Sequence, residues 1–278
     1  MNVRLLAYAK LNLDLHIVGR RPDGFHNLVS TVQTIDLADE ITIRLAGGDV
    51  SVRNDALSDE GPDLAERAVR ALLSRKGVTC GVSIDVCKRI PIGGGLGGGS
   101  SDAAAVLLAM NRLLDPVLSS TVLARVGATL GSDVPLFLQG GLLRMEGRGE
   151  RITALGNPRS ETFVVLCPPL QCDTAMVYAN WKKDGGTGAF DGCLGTNDLL
   201  APALTAYPGL TKYHDAMSRL NAAYFGMSGS GASMFGAFEA GDEAALAADR
   251  LRQRIPEAVT FICRATSVGS RIVEGGGR

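Results

Sequence analysis

A glycine-rich stretch in the first half of the chain has the composition of a phosphate-binding loop. It reads Pro91-Ile92-Gly93-Gly94-Gly95-Leu96-Gly97-Gly98-Gly99-Ser100-Ser101, between a strand pattern at 82–86 and a helical pattern at 103–114. Glycines bring a ligand close to the backbone, and a helix start offers unpaired N–H groups and the positive end of its dipole. We therefore expect the loop to bind an anion, and Ser100 and Ser101 to cap the helix.

Spacing separates the established kinds of nucleotide loop. A Walker A loop needs G-x-x-x-x-G-K-[ST], and the chain contains no Gly-Lys dipeptide. Gly93, Gly95 and Gly98 do satisfy the dinucleotide pattern G-x-G-x-x-G. That pattern also needs an acidic residue after a second strand about 20 residues on, whereas Asp115 follows a helical run. The dinucleotide interpretation is therefore weak.

Composition limits the other functions of the chain. The 278 residues carry 28 Lys+Arg against 29 Asp+Glu, so no global basic field attracts nucleic acid. Phosphate chemistry must then rely on backbone amides and a few placed cations. The six cysteines lack the C-x-x-C or Cys/His spacing of a zinc site. We see no signal peptide and no apolar run that could span a bilayer, so we expect a cytoplasmic protein without membrane or nucleic-acid partners.

The pattern of the chain predicts two α+β halves. Alternation at 11–17 predicts a half-buried strand, with Lys10 and Asn12 on its polar face, in a mainly β segment that ends near residue 60. A helix is predicted to begin at Pro62. Glycines and charges at 147–150, followed by Asn157-Pro158, indicate a boundary. We divide the chain into domains 1–155 and 156–278.

Four segments, in the same order, resemble motifs of the GHMP kinase family. The loop at 91–101 is similar to the second motif, and Ala9-Lys10-Leu11-Asn12-Leu13 to the first. Residues 130–135 (LGSDVP) resemble the catalytic-aspartate segment, and residues 226–232 (GMSGSGA) the third motif. The resemblance covers essentially the whole chain. It implies an N-terminal ATP-binding and catalytic domain like domain 2 of ribosomal protein S5, a ferredoxin-like C-terminal domain, and an active site between them.

The resemblance assigns roles to residues that have other interpretations. Phosphorylation of an alcohol needs a group that accepts the hydroxyl proton and positive charge near the γ-phosphate. The family pattern gives these roles to Asp133 and Lys10, although Asp133 could be a helix N-cap and Lys10 a solvated strand residue. It also implies that Lys88 lies near the nucleotide, where an exposed charge at a strand end is the alternative.

Similar reasoning implies the ligands. The double Gly-Gly-Gly loop and Gly24-Phe25-His26 resemble the branch of the family whose substrates carry a cytidine diphosphate moiety. In that branch an aromatic ring and a histidine hold the cytosine. The kinase family also implies ATP as co-substrate with Mg²⁺, and we assign no side chain as a metal ligand. The expected substrate-binding residues are Asn12, Phe25, His26, Tyr178, Gly229 and Ser230.

Several alternatives stay open at this point. Gly229, Ser230 and Gly231 could form an ordinary tight turn. Asp63 and Leu200 depart from the family pattern, which has asparagine and an acidic residue there. A GHMP kinase for homoserine or mevalonate is one alternative function, and a nucleotide-binding paralogue without activity is another.

Overall fold

The computed structural model describes residues 2–22, 24–55, 63–181 and 192–275. Asp23, in the predicted turn at 21–24, and Pro62, the predicted helix start, lie outside these residues. The described part contains two β-sheets with packed helices, one of eight strands and one of four.

The larger sheet is built around one long strand. Strand β3 pairs with β1 from Val32 to Arg44 and with β5 from Glu40 to Ala46, and its first residues pair with β2 and β6. The order is β12-β1-β3-β5-β4, and β7 extends the sheet beyond β6. The strands are β1 Asn2–Asn12, β2 His16–Arg20, β3 His26–Ala46, β4 Val50–Asn54, β5 Gly81–Cys87, β6 Leu142–Gly147, β7 Arg151–Gly156 and β12 Ser270–Gly275.

Four helices pack with this sheet: α1 Leu64–Lys76, α2 Gly98–Leu113, α3 Ser120–Leu130 and α4 Val134–Gln139. Helix α1 begins where Asp63 accepts the Ala65 N–H at 2.7 Å. Helix α2 contributes a run of small buried side chains, Ala103, Ala104 and Ala105. Because these side chains are short, α2 packs closely onto β1 and α1. The start of α2 is thereby placed beside the end of β1.

The second sheet has the order β11-β8-β10-β9 and is antiparallel throughout. Its chain order is strand, helices, two strands, helix, strand, which is the ferredoxin-like arrangement predicted for the C-terminal half. The strands are β8 Thr162–Cys167, β9 Tyr224–Met227, β10 Met234–Phe238 and β11 Val259–Arg264. The helices are α5 Thr174–Ala179, α6 Leu200–Ala206, α7 Thr211–Ser218 and α8 Gly241–Arg254, with a short 3₁₀ turn at Pro208–Leu210.

An apolar cluster joins the two sheets. It packs Leu11 and Ile35 of the first sheet against Phe163 and Phe235 of the second, whose ring centroids lie 6.3 Å apart. The predicted half-buried strand at 11–17 is therefore wrong in two respects. The segment is split between β1 and β2, and Lys10 is only 3% exposed. Alternation predicts which side chains share a face, but here the glycine loop and the Gly229 turn cover the polar face as well.

The last strand crosses the predicted domain boundary. The sheets change between β7 and β8, close to the division at residues 155 and 156, which stays a prediction. However, β12 pairs antiparallel with β1 in the first sheet, although the predicted division groups its residues with the C-terminal domain. The N–H of Thr266 also donates to the Thr34 carbonyl at 2.8 Å. The end of the chain thus holds the two halves together.

Gly269, just before β12, tests this connection. A Cβ at this position would lie 1.9 Å from the Phe137 carbonyl oxygen in α4. We expect Gly269→Ala to lower the free energy of unfolding by about 2 kcal/mol or more, because two backbone segments must separate. The matched control is Gly47→Ala, where a Cβ meets nothing within 4 Å. Urea unfolding measures both, and equal stability of the two variants would contradict the close contact.

Candidate active site

The two halves enclose a cleft with a volume of about 1200 Å³. The first, second and third motifs and the aspartate segment all contribute to its wall. Among the predicted site residues, those that line it are Lys10, Asn12, Phe25, His26, Lys88, Pro91, Ile92, Gly93, Gly94, Gly95, Leu96, Gly97, Gly98, Gly99, Ser100, Asp133, Tyr178, Gly229 and Ser230. Ser101 is buried outside the cleft wall.

Hydrogen bonds from both domains hold the glycine loop. The N–H of Lys10 donates to the Leu96 carbonyl at 3.0 Å, and the N–H of Ser233 donates to the Gly94 carbonyl at 3.1 Å. The Ser228 hydroxyl donates to the Gly95 carbonyl at 2.9 Å. Because these bonds occupy loop carbonyls, the loop is fixed before any ligand binds.

The helix after the loop begins without a side-chain cap. Helix α2 starts at Gly98 with Gly97 at its N-cap, so the prediction that Ser100 and Ser101 cap it was wrong. They already lie in the first turn, and the buried Ser101 hydroxyl donates to the Tyr8 carbonyl at 2.6 Å. Ser101 therefore supports β1 and is not placed to bind nucleotide. The uncapped N–H groups at the start of α2 suit an anion.

Lys10 and Asp133 meet at the centre of the cleft. Their Nζ and Oδ2 atoms are 3.8 Å apart, and the Lys10 ammonium also donates to Asn12 Oδ1. Burial lowers the pKa of Lys10, and the charge of Asp133 opposes that shift. Asp133 stands at the N-cap position of α4 but makes no capping hydrogen bond. Its carboxylate instead reaches the cleft, which the capping interpretation does not explain.

The third motif closes over this pair. A Cβ at Gly229 would lie 3.4 Å from the Lys10 Nζ, so the bare backbone sits against the ammonium. Asn197 Nδ2 donates to the carbonyls of Met227 and Gly229, at 2.7 and 2.8 Å. The segment is therefore both a tight turn and a wall of the cleft. Sequence reasoning missed Asn197, whose partners lie about 30 positions away along the chain.

An aromatic cluster lines the cleft near Asp133. The His26 ring stacks on Tyr178, with centroids 5.1 Å apart and an interplanar angle of 22°, and Trp181 meets His26 edge-on. Phe25 is 54% exposed, and the Arg148 guanidinium lies 4.4 Å from its ring centroid. Burial, with a smaller contribution from the Asp133 charge, raises the pKa of Tyr178 to about 12. The cluster thus adjoins the Lys10–Asp133 pair.

Two members of this cluster were missed in the sequence. Trp181 follows Tyr178 by three positions, a spacing that places both side chains on one side of a helical turn. That spacing could have indicated it. Arg148 lies in the glycine-rich segment that we interpreted as a boundary, and no local pattern connects it to Phe25.

Lys88 is buried, so the alternative of an exposed strand-end charge was wrong. Its ammonium donates to Asp39 Oδ2 at 2.5 Å and to Asp102 Oδ2 at 2.6 Å. The N–H groups of Arg89 and Ile90 donate to the other Asp39 oxygen, at 2.6 and 2.8 Å. Sequence reasoning missed both aspartates, because Asp39 lies 49 positions from Lys88.

Comparison with known proteins assigns this cleft to a family. The family description for the GHMP kinases N terminal domain matches residues 63–141, and that for the GHMP kinases C terminal matches residues 188–257. The chain is 39% identical over 264 residues to the 4-diphosphocytidyl-2-C-methyl-D-erythritol kinase of Geobacter metallireducens, covering 90% of this chain and 94% of the relative. The enzyme of that name from Thiobacillus denitrificans is 40% identical, with 93% of each chain covered. The chain belongs to the GHMP kinase family.

Solved structures agree with this assignment. A crystal structure of a 4-(cytidine 5'-diphospho)-2C-methyl-D-erythritol kinase is 33% identical, has a TM-score of 0.80, and is matched over 96% of this chain and 100% of that one. A homoserine kinase from Cytophaga hutchinsonii shares the fold, at 17% identity, a TM-score of 0.74, and coverage of 98% and 97%. The predicted α+β GHMP kinase fold is confirmed. As a GHMP kinase, the protein is an ATP-dependent small-molecule kinase.

Two further observations concern membrane-spanning helices and metal-ligating side chains. No helix in the described part of the chain is long and apolar enough to cross a membrane. The same residues contain no group of three or more His, Cys, Asp or Glu side chains that could hold a metal ion.

Gly95 tests the fixed position of the loop in this GHMP kinase. It has φ +76°, and a Cβ there would lie 2.1 Å from the Ser228 carbonyl oxygen. We expect Gly95→Ala to weaken ATP binding at least tenfold and to lower the melting temperature, because the two glycine-rich motifs must move apart.

Gly99→Ala is the matched control, since its Cβ would meet nothing within 4 Å and alanine favours a helix. Its melting temperature should equal or exceed that of the wild type. Calorimetry and thermal unfolding measure both variants. Wild-type ATP affinity in Gly95→Ala would show that the contact with Ser228 does not position the loop.

Proposed function

We propose that the protein transfers the γ-phosphoryl group of ATP to the 2-hydroxyl of 4-diphosphocytidyl-2-C-methyl-D-erythritol. The products are ADP and the 2-phosphate, and the reaction belongs to the non-mevalonate pathway to isoprenoid precursors. The names of the relatives support this substrate. The single observation that carries the proposal is the aromatic and histidine cluster beside the Lys10–Asp133 pair, in the cleft that the glycine loop lines.

The reaction centre follows from the charges of the pair. The polyphosphate of ATP lies along the glycine loop and the uncapped start of α2, where backbone N–H groups stabilise it. Asp133 accepts the proton of the attacked hydroxyl. The Lys10 ammonium, fixed by Asn12 and Asp133, stabilises negative charge on the transferring group. Burial strengthens this effect because little water screens the ammonium.

The aromatic cluster suits a flat base with a polar edge. Burial and the charge of Arg20 lower the pKa of His26, so its imidazole is neutral at pH 7 and carries both a donor and an acceptor. The exposed Phe25 ring offers a face for stacking. Tyr178 and Trp181 pack against the imidazole and fix its orientation. These residues therefore bind the cytosine, and the diphosphate and methylerythritol extend toward Asp133.

Magnesium fits this site as an ion carried by the nucleotide. Mg²⁺ commonly keeps several waters and binds through substrate phosphates with few protein ligands. Ser100, in the first turn of α2, lines the cleft and would offer a hydroxyl oxygen to the waters of such an ion. When bound, Mg²⁺ supplies positive charge to the phosphate oxygens. The ion would be held by those oxygens and its own waters.

Release of ADP tests the substrate directly. We expect rapid ADP formation from ATP with 4-diphosphocytidyl-2-C-methyl-D-erythritol, and little with homoserine or mevalonate, which offer no base to the aromatic cluster. Turnover of homoserine or mevalonate at a comparable kcat/KM would overturn the substrate assignment. ATP binding without turnover of any of the three would support the paralogue without activity.

Asp133→Asn tests the proton acceptor. We expect kcat to fall by about 10²–10⁴-fold, because the amide cannot accept the hydroxyl proton, while the melting temperature stays near that of the wild type. Asp242→Asn, at an exposed position at the start of α8, is the control and should keep wild-type kcat. Steady-state kinetics measure both. A kcat for Asp133→Asn within about threefold of wild type would remove Asp133 from this role.

Phe25 and His26 test recognition of the base. Stacking on an aromatic side chain contributes about 1–3 kcal/mol per base, so Phe25→Ala should lower kcat/KM for the cytidyl substrate by roughly one to two decades. Phe25→Tyr keeps the ring and should be nearly silent. His26→Ala should narrow the preference for the cytidyl over the uridyl substrate. The KM for ATP should barely change. A wild-type kcat/KM in both alanine variants would show that the segment at Phe25 and His26 forms a turn and does not bind the base.

A further inference from the structure

Beneath the glycine loop, two carboxylates share one buried ammonium. The side chains of Asp39, Lys88 and Asp102 are 0%, 6% and 3% exposed. With both carboxylates ionised, this cluster has a net charge of −1 next to the place where a polyanion binds. Like charges repel strongly where little water screens them. A cluster in which both carboxylates are ionised therefore opposes nucleotide binding.

The two carboxylates have unequal hydrogen bonding. Asp39 accepts from the Lys88 ammonium and from two backbone N–H groups, so both of its oxygens already act as acceptors. Asp102 accepts from Lys88 through Oδ2 alone. Its Oδ1 is buried and has no hydrogen-bond partner among the described residues. If one carboxylate carries a proton, that proton belongs on Asp102.

The electrostatics agree with this geometry. Burial raises the pKa of Asp102 to about 7, with the charge of Asp39 adding to the shift and that of Lys88 opposing it. The Asp102 carboxyl thus changes protonation closer to neutral pH than an ordinary aspartate does. A small change in the local potential is enough to complete its protonation.

The position of Asp102 couples it to the nucleotide. It lies one residue after Ser101 in the first turns of α2, and both Asp102 and Lys88 line the cleft. A Cβ on Gly98, the first residue of α2, would lie 3.2 Å from the Lys88 Nζ. A phosphate held by the start of α2 is thus close to the cluster.

Other charged groups around α2 are accounted for. Lys10 of β1 faces the loop at Gly97 and pairs with Asp133. Lys76 of α1 binds carbonyls at the opposite end of α2. Helix α3 and strand β12 carry the described charged side chains of Arg125 and Arg271, which are exposed. Asp39 and Lys88 are therefore the charges that set the protonation of Asp102.

We propose that Asp102 takes up a proton when ATP binds, so that the polyphosphate meets a neutral Lys88–Asp39–Asp102 cluster. The proton comes from solvent and converts the Asp102 carboxylate into a carboxylic acid, while no bond of ATP changes. Because the nucleotide complex then holds one more proton than the free protein, on Asp102, the affinity for ATP must fall as pH rises above 7. Asp102 is in this sense an affinity-determining residue for the nucleotide.

Calorimetry of ATP binding tests the proposal. ATP with Mg²⁺ is titrated into the protein without acceptor substrate, between pH 7 and pH 8.5, in two buffers of different ionisation enthalpy. We expect the wild type to take up more protons than Asp102→Asn on binding ATP, and this difference should grow toward about one proton as pH rises from 7 to 8.5. The wild-type dissociation constant should rise about three- to tenfold per pH unit relative to the variant. Titration of ATP itself is common to both and cancels in the difference.

Equal proton uptake by the wild type and Asp102→Asn would overturn the proposal. Asp242→Asn, on α8, is the control and should keep wild-type uptake. Should Asp102→Asn fold poorly, infrared difference spectra of wild-type protein labelled with ¹³C-aspartate provide a second test at pH 8. ATP should generate a protonated-carboxyl band, and its absence would also overturn the proposal.

This inference rests on the ATP site and not on the proposed cytidyl substrate. ATP binding without differential proton uptake would refute the role of Asp102 alone. Failure to phosphorylate the cytidyl substrate, with proton uptake intact, would refute the substrate assignment alone.

Discussion

The hydroxyl of Ser228 joins three motifs that the rest of the cleft depends on. It accepts the Asn12 N–H at 3.2 Å and donates to the Gly95 carbonyl at 2.9 Å, so the end of β1, the glycine loop and the third motif meet at one atom. Asn12 in turn holds the Lys10 ammonium. The loop and the Lys10 ammonium therefore cannot shift independently. This bond crosses between the two domains, so the site exists only when they are packed together.

Packing of the domains also explains how a lysine becomes buried. Lys10 lies on a strand that would expose one face in an isolated sheet, yet the glycine loop at Gly97 and the Gly229 turn of the second domain cover it. A buried ammonium is costly unless it is paired and hydrogen-bonded. Asp133 and Asn12 provide that pairing, as Asp39 and Asp102 do for Lys88. Both lysines of the cleft are thus fixed in place by oxygen atoms before ATP arrives.

Local patterns predicted the parts of this protein that depend on neighbours in sequence. The strand, glycine loop and helix around residues 82–114 are such a unit, and the structure has β5, the loop and α2 there. The helix start was misplaced because Gly97, and not a serine, occupies the N-cap. Serine favours a cap on average, but here the buried Ser101 hydroxyl bonds to Tyr8 on another strand. Partners that are distant in the sequence determine where such a helix begins. Strand alternation and capping preference carry no information about those partners.

The same limit applied to the charged and aromatic groups of the site. The family pattern indicated Lys10, Asp133 and His26, since each lies in a short motif. It did not indicate Asp39, which meets Lys88 across the sheet. Nor did it place β12 in the first sheet, because a strand pattern does not specify which strand it pairs with. Pairing across long sequence separations is a property of the folded chain, and it is what completes this cleft.

The aromatic cluster shows why both domains must contribute to substrate recognition. Phe25 precedes β3 and His26 begins it in the first domain, whereas Tyr178 and Trp181 follow β8 in the second. Stacking of His26 on Tyr178 therefore spans the domain contact, and the charge of Asp133 reaches Tyr178. A base held at this cluster is positioned relative to Asp133 by the same packing that fixes Lys10. In the proposed reaction, base recognition and proton transfer share one geometric constraint, namely the docking of the two sheets through Leu11, Ile35 and their phenylalanine partners.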